Sequence, residues 1–364
     1  MSLPSKRVIT SFLLVIGAIT TVVLAPYSRG LTQGLPPGAL GERMLPLTPV
    51  ASVTVQQVAT IGLTVSDMDR SMAFYSEVLG FRTISDLALS GAVFESLTGV
   101  AGAQGRVVQM QLGNEVIELT DYLTPEGRPI PLDSRSNDRW FQHIAIVVSD
   151  MEAAYGQLRN AKVQFVSNLP QTLPDYLTAA AGIKAFYFQD PDGHNLEVID
   201  FPLDKGDPRW QEPTDQLFLG IDHTAIATAD TASSLGFYRD LLGLRVAGES
   251  ENYGTEQEHL NNVFGAHLQI TGLRAPLGPG IEFLDYLSPP GGRPIPADIR
   301  ANDLVHWQTT LVVEDAAFAA TQLQAAGYDL VSAGVVALPD ARLGFVKGFL
   351  VRDPDGHVMR IVEK

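Results

Sequence analysis

Residues 190–199 read DPDGHNLEVI, and residues 353–357 repeat the first five of these letters as DPDGH. Proline and glycine set the backbone angles of a tight turn, so each copy predicts a turn, with the histidine that follows it on the surface. After the first turn, Glu197 alternates with apolar neighbours, which predicts a β-strand carrying one polar side chain on an otherwise apolar stretch. A turn and strand that occur twice indicate two homologous halves in one chain.

A shorter phrase occurs four times, as IGLTVSD at 61–67, IAIVVSD at 144–150, TAIATAD at 224–230 and TTLVVED at 309–315. Each copy predicts an apolar strand that runs into an amphipathic helix. Segments of strand character follow each helix, so each half contains two modules of the order βαβββ. This pattern predicts an α+β fold, with helices packed on one face of mostly antiparallel sheets.

The N-terminus has the pattern of an export signal, because Lys6 and Arg7 precede a largely apolar run over residues 8–25. The length of this run leaves open a cleaved signal peptide or a retained membrane anchor over residues 1–25. Residues 26–52 are rich in proline and glycine and predict a tether. We therefore expect an exported protein that is periplasmic, secreted or anchored to the membrane outside the cytoplasm.

The repeats and the composition between them define the remaining boundaries. We place the first half at residues 53–202, a proline-containing linker at 203–218 and the second half at 219–364.

Composition excludes several classes of function. The 364 residues include 25 Lys and Arg against 41 Asp and Glu, a formal net charge of −16. This acidity argues against nucleic acid as a partner, since phosphate binding needs clustered Lys and Arg. The absence of cysteine excludes disulfides, zinc–thiolate sites, iron–sulfur clusters and thiol nucleophiles. A metal would therefore be held by His, Glu, Asp, Gln or water. No protein partner is evident.

The fourfold module, with the DPDGH turn before the LEVI strand, resembles the vicinal oxygen chelate superfamily over about residues 53–364. That group includes glyoxalases, epimerases, bleomycin-binding proteins and extradiol dioxygenases. The resemblance implies that the four βαβββ modules pair into two cupped, mostly antiparallel sheets with helices on the outer face. It also implies a divalent metal on a concave face and a small substrate with vicinal oxygens.

Three ionisable residues interrupt apolar strands of the first half at matching module positions: Glu118, His143 and Glu197. If modules one and two pair, these side chains converge, and two adjacent carboxylates need a neutralising cation. They are our predicted metal ligands, with the fourth family position falling on Thr60 and left open to water or substrate. Zinc, nickel, manganese, cobalt and iron(II) all suit such mixed ligands.

The matching positions of the second half hold His223, Glu282, Gln308 and Arg360. The first three form a weaker candidate metal site. Arg360 is always protonated, so we expect it to pair with Glu282 and to leave the second cup structural or substrate-binding.

Proton transfer is assigned to Glu197 or Glu118, since a carboxylate beside a cation is a suitable general base. Thr60, Tyr122 and Arg128 are candidate substrate-binding residues, because Tyr122 shares the face of Glu118 and Arg128 lies in a proline-rich loop.

The resemblance favours a metal-dependent lyase or isomerase similar to glyoxalases. Two alternatives stay open. Extradiol ring cleavage usually needs two histidines and one carboxylate on iron, which neither half supplies alone. A non-catalytic protein that binds a small ligand is compatible with the replacements Thr60 and Arg360.

Overall fold

The computed structural model describes residues 53–338 and 342–364, so the expected signal and tether lie outside the described residues. In the described part of the chain, no helix is long and apolar enough to cross a membrane. Seventeen strands occur in this part: β1 (Gln57–Val65), β2 (Arg82–Ser90), β3 (Gln104–Leu112), β4 (Glu115–Thr124), β5 (Gln142–Val148), β6 (Gln164–Phe165), β7 (Gln171–Thr172), β8 (Lys184–Gln189), β9 (Asn195–Asp200), β10 (Phe218–Thr228), β11 (Arg245–Tyr253), β12 (His267–Arg274), β13 (Gly280–Ser288), β14 (Trp307–Val312), β15 (Val336–Ala337), β16 (Lys347–Arg352) and β17 (Val358–Glu363).

The helices are short. The described α-helices are α1 (Met68–Ala73), α2 (Ala92–Thr98), α3 (Met151–Asn160), α4 (Thr231–Leu235), α5 (Thr255–Asn261) and α6 (Ala316–Ala325). A π-helical turn extends α1 over Phe74–Val78 and α4 over Gly236–Leu241, and a 3-10 helix forms at Pro208–Gln211.

The last residue of each repeated phrase begins a helix. Asp67, Asp150, Asp230 and Asp315 are the N-caps of α1, α3, α4 and α6, and each carboxylate accepts hydrogen bonds from backbone N–H groups of the first turn. An aspartate at this position satisfies donors that the helix itself leaves unpaired. The phrase therefore marks where each strand gives way to its helix, as the sequence predicts.

The strands form two curled sheets, which confirms the α+β fold of paired modules. The first has the order β15-β16-β17-β14-β1-β4-β3-β2 and contains modules one and four; we call it the 1/4 sheet. The second has the order β11-β12-β13-β10-β5-β9-β8-β6, with β7 beside β8, and contains modules two and three; we call it the 2/3 sheet. Antiparallel pairs β1–β14 and β10–β5 join the modules.

This topology corrects one expectation, because module one does not share a sheet with module two. The two modules instead pack against each other through the faces that carry helices. The resulting core draws on both modules through Ile61, Leu63, Ile117, Leu119, Ile144, Ile146, Leu196 and Val198. An equivalent core joins modules three and four through residues such as Phe283, Leu311, Phe349 and Ile361. Each half thus has its own core but contributes one module to each sheet.

The histidine that ends each DPDGH turn is buried, contrary to the expectation of surface histidines. His194 is fully buried, and its backbone N–H and Nδ1 both lie 2.9 Å from the carboxylate of Asp190. Tyr75 donates to the same carboxylate at 3.1 Å, and His194 Nε2 lies 2.8 Å from the carbonyl oxygen of Leu304. The turn therefore anchors a helix of module one and a loop of the second half, which makes it part of the scaffold.

Candidate metal centre in the 2/3 sheet

Four adjacent central strands of the 2/3 sheet each carry one ionisable residue on the concave face. These residues are Glu282 on β13, His223 on β10, His143 on β5 and Glu197 on β9. Alanines stand beside them in register: Ala225 is paired with both His143 and Glu282, and Ala145 with Glu197 and His223. Because a methyl group takes little room, the four longer side chains can meet above the middle of the sheet.

The four side chains are within a few ångströms of one another. His143 Nε2 lies 3.0 Å from Glu197 Oε2, and His223 Nε2 lies 3.8 Å from the same oxygen and 3.6 Å from Glu282 Oε1. One ligand atom each from His143, Glu197 and His223 fall within 4.8 Å of one another, and these residues are buried. The side chain of Glu282 is 24% exposed and closes the cluster on the cavity side.

The hydrogen bonding of the two histidines shows whether a metal ion fits the cluster. Both ring nitrogens of His143 and Nε2 of His223 are buried and make no hydrogen bond of regular geometry, although His143 Nε2 lies 3.0 Å from Glu197 Oε2. Buried polar atoms are normally paired, so each such atom needs an explanation. A divalent cation would be the partner of one ring nitrogen of each histidine, and two carboxylates would balance its charge. His143, Glu197, His223 and Glu282 therefore fit as a ligand set.

The electrostatics of the cluster favour positive charge. Burial opposes the charged form of His223, but Glu282 and the carboxylate of Asp222 outweigh it and raise the pKa of His223 to about 9. Burial raises the pKa of Glu282, and the nearby charge of Glu197 raises it further. The Glu282 carboxyl and the His223 ring thus hold a proton more firmly than usual, which is the response expected of a site shaped for a cation.

Asp222 fixes the orientation of the His223 ring. Its carboxylate Oδ2 lies 2.9 Å from His223 Nδ1, so Nε2 is left facing the cluster. Arg274 Nη2 donates to both carboxylate oxygens at 2.9 and 2.8 Å, and Trp210 Nε1 donates at 3.2 Å. Burial alone would raise the pKa of Asp222, but His223 and Arg274 hold it far below its usual range. The carboxylate is therefore ionised and immobile.

A bulge in β10 brings Asp222 to this position. The register of β10 with β5 shifts between Ile221 and His223, which leaves Asp222 as the extra residue. In regular alternation, neighbouring residues point to opposite faces, so the sequence predicts Asp222 on the face away from His223. A bulge re-aims one side chain, and only the structure shows it. Asp222, Arg274 and Trp210 are thus functional candidates that the sequence pattern misses.

A cavity of about 490 Å³ lies over the cluster and reaches Glu197, His223 and Glu282. Its other walls come from the loop before β8, from β11 and α5, and from the linker between the halves. The cluster is therefore open to a small molecule.

The 1/4 sheet holds the other predicted site residues in a different arrangement. Arg360 Nη1 donates to Glu118 Oε1 at 2.6 Å, and both side chains are almost fully buried. Gln308 Nε2 lies 3.4 Å from the same oxygen, and Arg360 Nη2 donates to Thr60 Oγ1 at 3.3 Å. The expected convergence of Glu118 with His143 and Glu197 is therefore wrong. Gln308 is likewise separated from its expected partners in the 2/3 sheet.

The expected pairing of Arg360 with Glu282 is also wrong, because the two residues lie in different sheets. The physical reason is the exchange of modules, since Arg360 in β17 meets β4 of module one across β14 and β1. Burial raises the pKa of Glu118, but Arg360 outweighs burial and lowers it. The guanidinium thus supplies the positive charge that a metal would supply in the other cup.

Apolar side chains fill the 1/4 cup. Phe345 lies under the guanidinium of Arg360 at 5.0 Å, and Tyr122 stacks on Phe94 with ring centroids 5.7 Å apart. These aromatic residues belong to one buried cluster with Leu343. Thr60 and Tyr122, predicted to bind substrate, are therefore placed in a filled cup away from the candidate metal cluster.

Arg128 joins two loops and is absent from the cavity lining. Its guanidinium donates to Asp303 at 3.1 and 2.7 Å and to Asp298 at 2.7 Å. Arg293 makes the equivalent contacts with Asp138 in the other half. These reciprocal pairs hold the loops that cross between the sheets, so the structure favours a structural role for Arg128.

Comparison with known proteins assigns the family. The model of the Glyoxalase/Bleomycin resistance protein/Dioxygenase superfamily matches residues 57–198 and 220–361. The chain belongs to this superfamily. A 2-epi-5-epi-valiolone epimerase of Actinomyces sp is 32% identical over 172 residues, which cover 46% of this chain and 88% of that protein. The two matches to the family model correspond to the two halves seen as sequence repeats.

More distant matches are found both in sequence and in structure. A lactoylglutathione lyase of Schizosaccharomyces pombe is 25% identical over 197 residues, 52% of this chain, and the match spans only 60% of that protein. The crystal structure of glyoxalase I from Zea mays superposes with a TM-score of 0.56 at 16% identity, covering 84% of this chain and 92% of that one. At that identity the likeness shows the fold alone.

Proposed function

We propose that the protein is a divalent-metal-dependent lyase or isomerase that acts on a small substrate with vicinal oxygens in the 2/3 cup. The observation that carries this proposal is the set of buried, unpaired imidazole nitrogens facing two carboxylates at the floor of an open cavity. The names of the relatives, an epimerase and lactoylglutathione lyases, support a reaction that moves a proton beside a carbonyl group.

The side chains would divide the work as follows. His143 and His223 would bind the cation as neutral ligands, together with the two carboxylates. The bound metal would act as a Lewis acid toward the two substrate oxygens. Glu282 is the carboxylate more exposed to the cavity, 24% against 6% for Glu197, so we assign it the proton transfer and Glu197 a fixed ligand role. Glu118, our other predicted base, is bound to Arg360 in the 1/4 sheet.

Elemental analysis of the purified protein tests the site. We expect one divalent metal per chain in wild type, and its loss in His143→Ala and His223→Ala. Gln308→Ala is the matched control, because Gln308 occupies the module position of His143 in the 1/4 sheet and should leave the metal content unchanged. Metal retained by both histidine variants would contradict the site.

Two alternatives have distinct outcomes. Extradiol cleavage would require two histidines and one carboxylate on iron, with oxygen consumed when the iron(II) protein meets a catechol. The cluster has a second carboxylate, Glu282, beyond the two histidines and one carboxylate of that set. This extra carboxylate favours a proton-transfer reaction over ring cleavage. A non-catalytic binding protein would hold its ligand equally well after chelator treatment, with no exchange of substrate protons for deuterium.

We also propose that residues 1–25 direct export, on the basis of the basic and apolar pattern after Lys6 and Arg7. N-terminal sequencing of the mature protein and cell fractionation test this. An intact N-terminus in the cytoplasmic fraction would contradict it.

A further inference from the structure

A second pocket, of about 100 Å³, lies where the loop of residues 125–141 meets the first DPDGH turn and the start of β14. We call it the loop pocket. Phe141 lines it, and the Phe141 ring centroid lies 5.7 Å from that of His143. Among the described residues, the loop pocket and the cavity over the metal cluster share no lining residue. The loop pocket is therefore a neighbour of the cluster and a separate place for a ligand to bind.

The loop pocket contains one uncommitted positive charge. None of the described lining residues is acidic, although the chain carries a net charge of −16. Arg135 and His194 are the basic residues of this lining, and both ring nitrogens of His194 are held by protein oxygens. The carboxylates of Asp133 and Asp138 in the same loop bind Arg293. The exposed guanidinium of Arg135 has no hydrogen bond or ion pair with a described residue, so it is available to an anion.

Two neutral donors accompany Arg135 in the lining. Asn195 Oδ1 accepts from Gln189 Nε2 at 3.3 Å, which leaves the amide nitrogen of Asn195 for a ligand. The hydroxyl of Ser136 is likewise without a partner among the described residues. Neither atom belongs to the unpaired side-chain atoms that the protein fully encloses, so both are reachable from the pocket. A guanidinium, an amide N–H and a hydroxyl are donors that suit a carboxylate.

The corresponding pocket of the second half is closed. Its volume is about 20 Å³. Arg352 lines it and donates to the carbonyl oxygens of Gly356 and Ile299 at 2.9 and 2.7 Å. Gln189, which occupies the position of Arg352 in the repeat, is shorter and uncharged. The first half thus keeps open a space that the second half fills with its own cation.

The two halves also differ in the donors at this place. The GRPIP and DPDGH repeats align Ser136 with Ala301 and Asn195 with Val358. Polar side chains therefore occur in the half where the pocket is open, and apolar side chains occur where it is closed. This coincidence indicates that the open pocket holds a polar ligand.

The remaining walls of the loop pocket are aromatic and aliphatic. They include Trp140, Phe141, Val166 and Trp307. Such walls favour carbon–hydrogen surface on the ligand, and the small volume limits the ligand to a few carbon atoms. Phosphate has no carbon–hydrogen surface and would bring more than one negative charge to a single guanidinium. The walls and the charge together fit an organic acid with one carboxylate.

We propose that the loop pocket binds a small organic monocarboxylate. Its carboxylate accepts from Arg135, Ser136 and Asn195, and its carbon atoms lie against Trp140 and Trp307. The site is independent of the proposed function, because none of its lining residues is a predicted metal ligand.

Tryptophan fluorescence of the full-length protein tests the proposal, because two of the three tryptophans, Trp140 and Trp307, line the pocket. The probe is isobutyrate, and isobutyramide is the control of the same shape without charge. We expect a saturable change with isobutyrate and affinity for isobutyramide at least about tenfold weaker. Inorganic phosphate tests the other oxyanion, and it should neither change the fluorescence nor displace isobutyrate. Binding of isobutyrate should persist after chelator treatment.

Variants assign the binding to the named side chains. Arg135→Gln should weaken isobutyrate binding by about tenfold, the loss typical of one charge-assisted hydrogen bond. Arg300→Gln is the matched control and should bind as wild type does, because Arg300 has the same loop position in the second half and is absent from the lining of either pocket. Asn195→Val, which introduces the residue of the second half, should also weaken binding. Arg135→Lys should retain more affinity than Arg135→Gln, and thermal melts check that each variant folds.

Four results would overturn the proposal: no saturable change with isobutyrate, equal affinity for isobutyramide, tighter binding of phosphate, or equal losses in Arg135→Gln and Arg300→Gln. Loss of isobutyrate binding on removal of metal would assign the carboxylate to the metal cluster and would overturn the proposal as well. Metal content, measured on the same samples, decides the proposed function separately.

Discussion

The bond between Asp222 and His223 makes a sharp prediction about metal affinity. In Asp222→Asn, an amide oxygen at the Oδ1 position still accepts from Arg274 and Trp210 and holds the side chain, while the hydrogen bond from Arg274 to the Oδ2 position is lost. The amide nitrogen then faces His223 Nδ1, 2.9 Å away in the wild type, and it is a donor. The ring must accept at Nδ1 and carry its proton on Nε2. That nitrogen is the one facing Glu197 and Glu282, so its lone pair is lost to the metal.

The expected loss of metal affinity in Asp222→Asn follows from the role of Asp222 in orienting His223. Changing a residue that orients a metal-binding histidine usually costs about 10–100-fold in metal affinity. This range corresponds to about 1.4–2.7 kcal/mol of binding free energy. Competition against a metallochromic chelator measures the affinity for zinc. The visible absorption of the cobalt(II) protein reports separately whether His223 still coordinates.

A charge control separates orientation from simple electrostatics. Glu249→Gln removes one exposed carboxylate from the lining of the cavity over the cluster. We expect this variant to keep wild-type affinity and the wild-type cobalt spectrum. The reasoning is refuted if Asp222→Asn binds metal as wild type does, or if both variants lose affinity equally.

Two further predictions concern the scaffold. Glu118→Gln should lower the free energy of unfolding by about 3–5 kcal/mol, because it leaves the buried guanidinium of Arg360 without its counter-ion, and it should leave the metal content unchanged. Urea denaturation and elemental analysis check this, and a loss of metal at full stability would contradict it. His194→Gln should destabilise most between pH 3.8 and 6.5, where Asp190, with its lowered pKa, is ionised and His194, with its raised pKa, is protonated. The deficit should shrink as pH rises through the raised pKa of His194 and the wild-type pair loses its charge. Equal deficits at about pH 5.5 and pH 9 would contradict this reading.

Local patterns in the sequence predict the elements and the faces of the strands. The four repeated phrases locate β1, β5, β10 and β14, and a helix follows each of them as expected, with the final aspartate of the phrase as its N-cap. Alternation separates His143 from Ile144 and Ile146, and Glu197 from Leu196 and Val198, and in the structure these two polar residues share one face of the 2/3 sheet. Side-chain alternation has a period of two, so it identifies the face without knowledge of the partner strand.

The alternation of polar and apolar side chains along a strand does not predict which module pairs with which. The edge of β5 joins β10 in the structure, yet the same polar and apolar faces would serve if β5 joined β1. The loops of residues 125–141 and 289–306 hold the paired modules together, because an arginine in each loop binds an aspartate of the other half. Arg128 binds Asp303 and Arg293 binds Asp138, contacts between residues far apart in sequence. One sequence does not reveal such long-range pairs. The sequence alone therefore groups the ligands by half, and it places Glu118 with His143 and Glu197 although they lie in different sheets.

The position of the linker explains why the two cups differ. Because the linker connects module two to module three, it lies beside the cup that these modules share. Trp210 of the linker supports Asp222 at the cluster, while Arg209 stacks on the Trp210 ring at 3.8 Å and pairs with Glu115 of module one. The 1/4 cup joins the two modules farthest apart in the chain, and within residues 53–338 and 342–364 no segment between modules lies beside it in this way. Its bulged residue in β1, at the place of Asp222, is Ala59, which cannot orient a ligand. The repeated halves thus form two related cups. In the described residues, the linker lies beside the 2/3 cup, where Trp210 supports Asp222 and so the metal-binding His223.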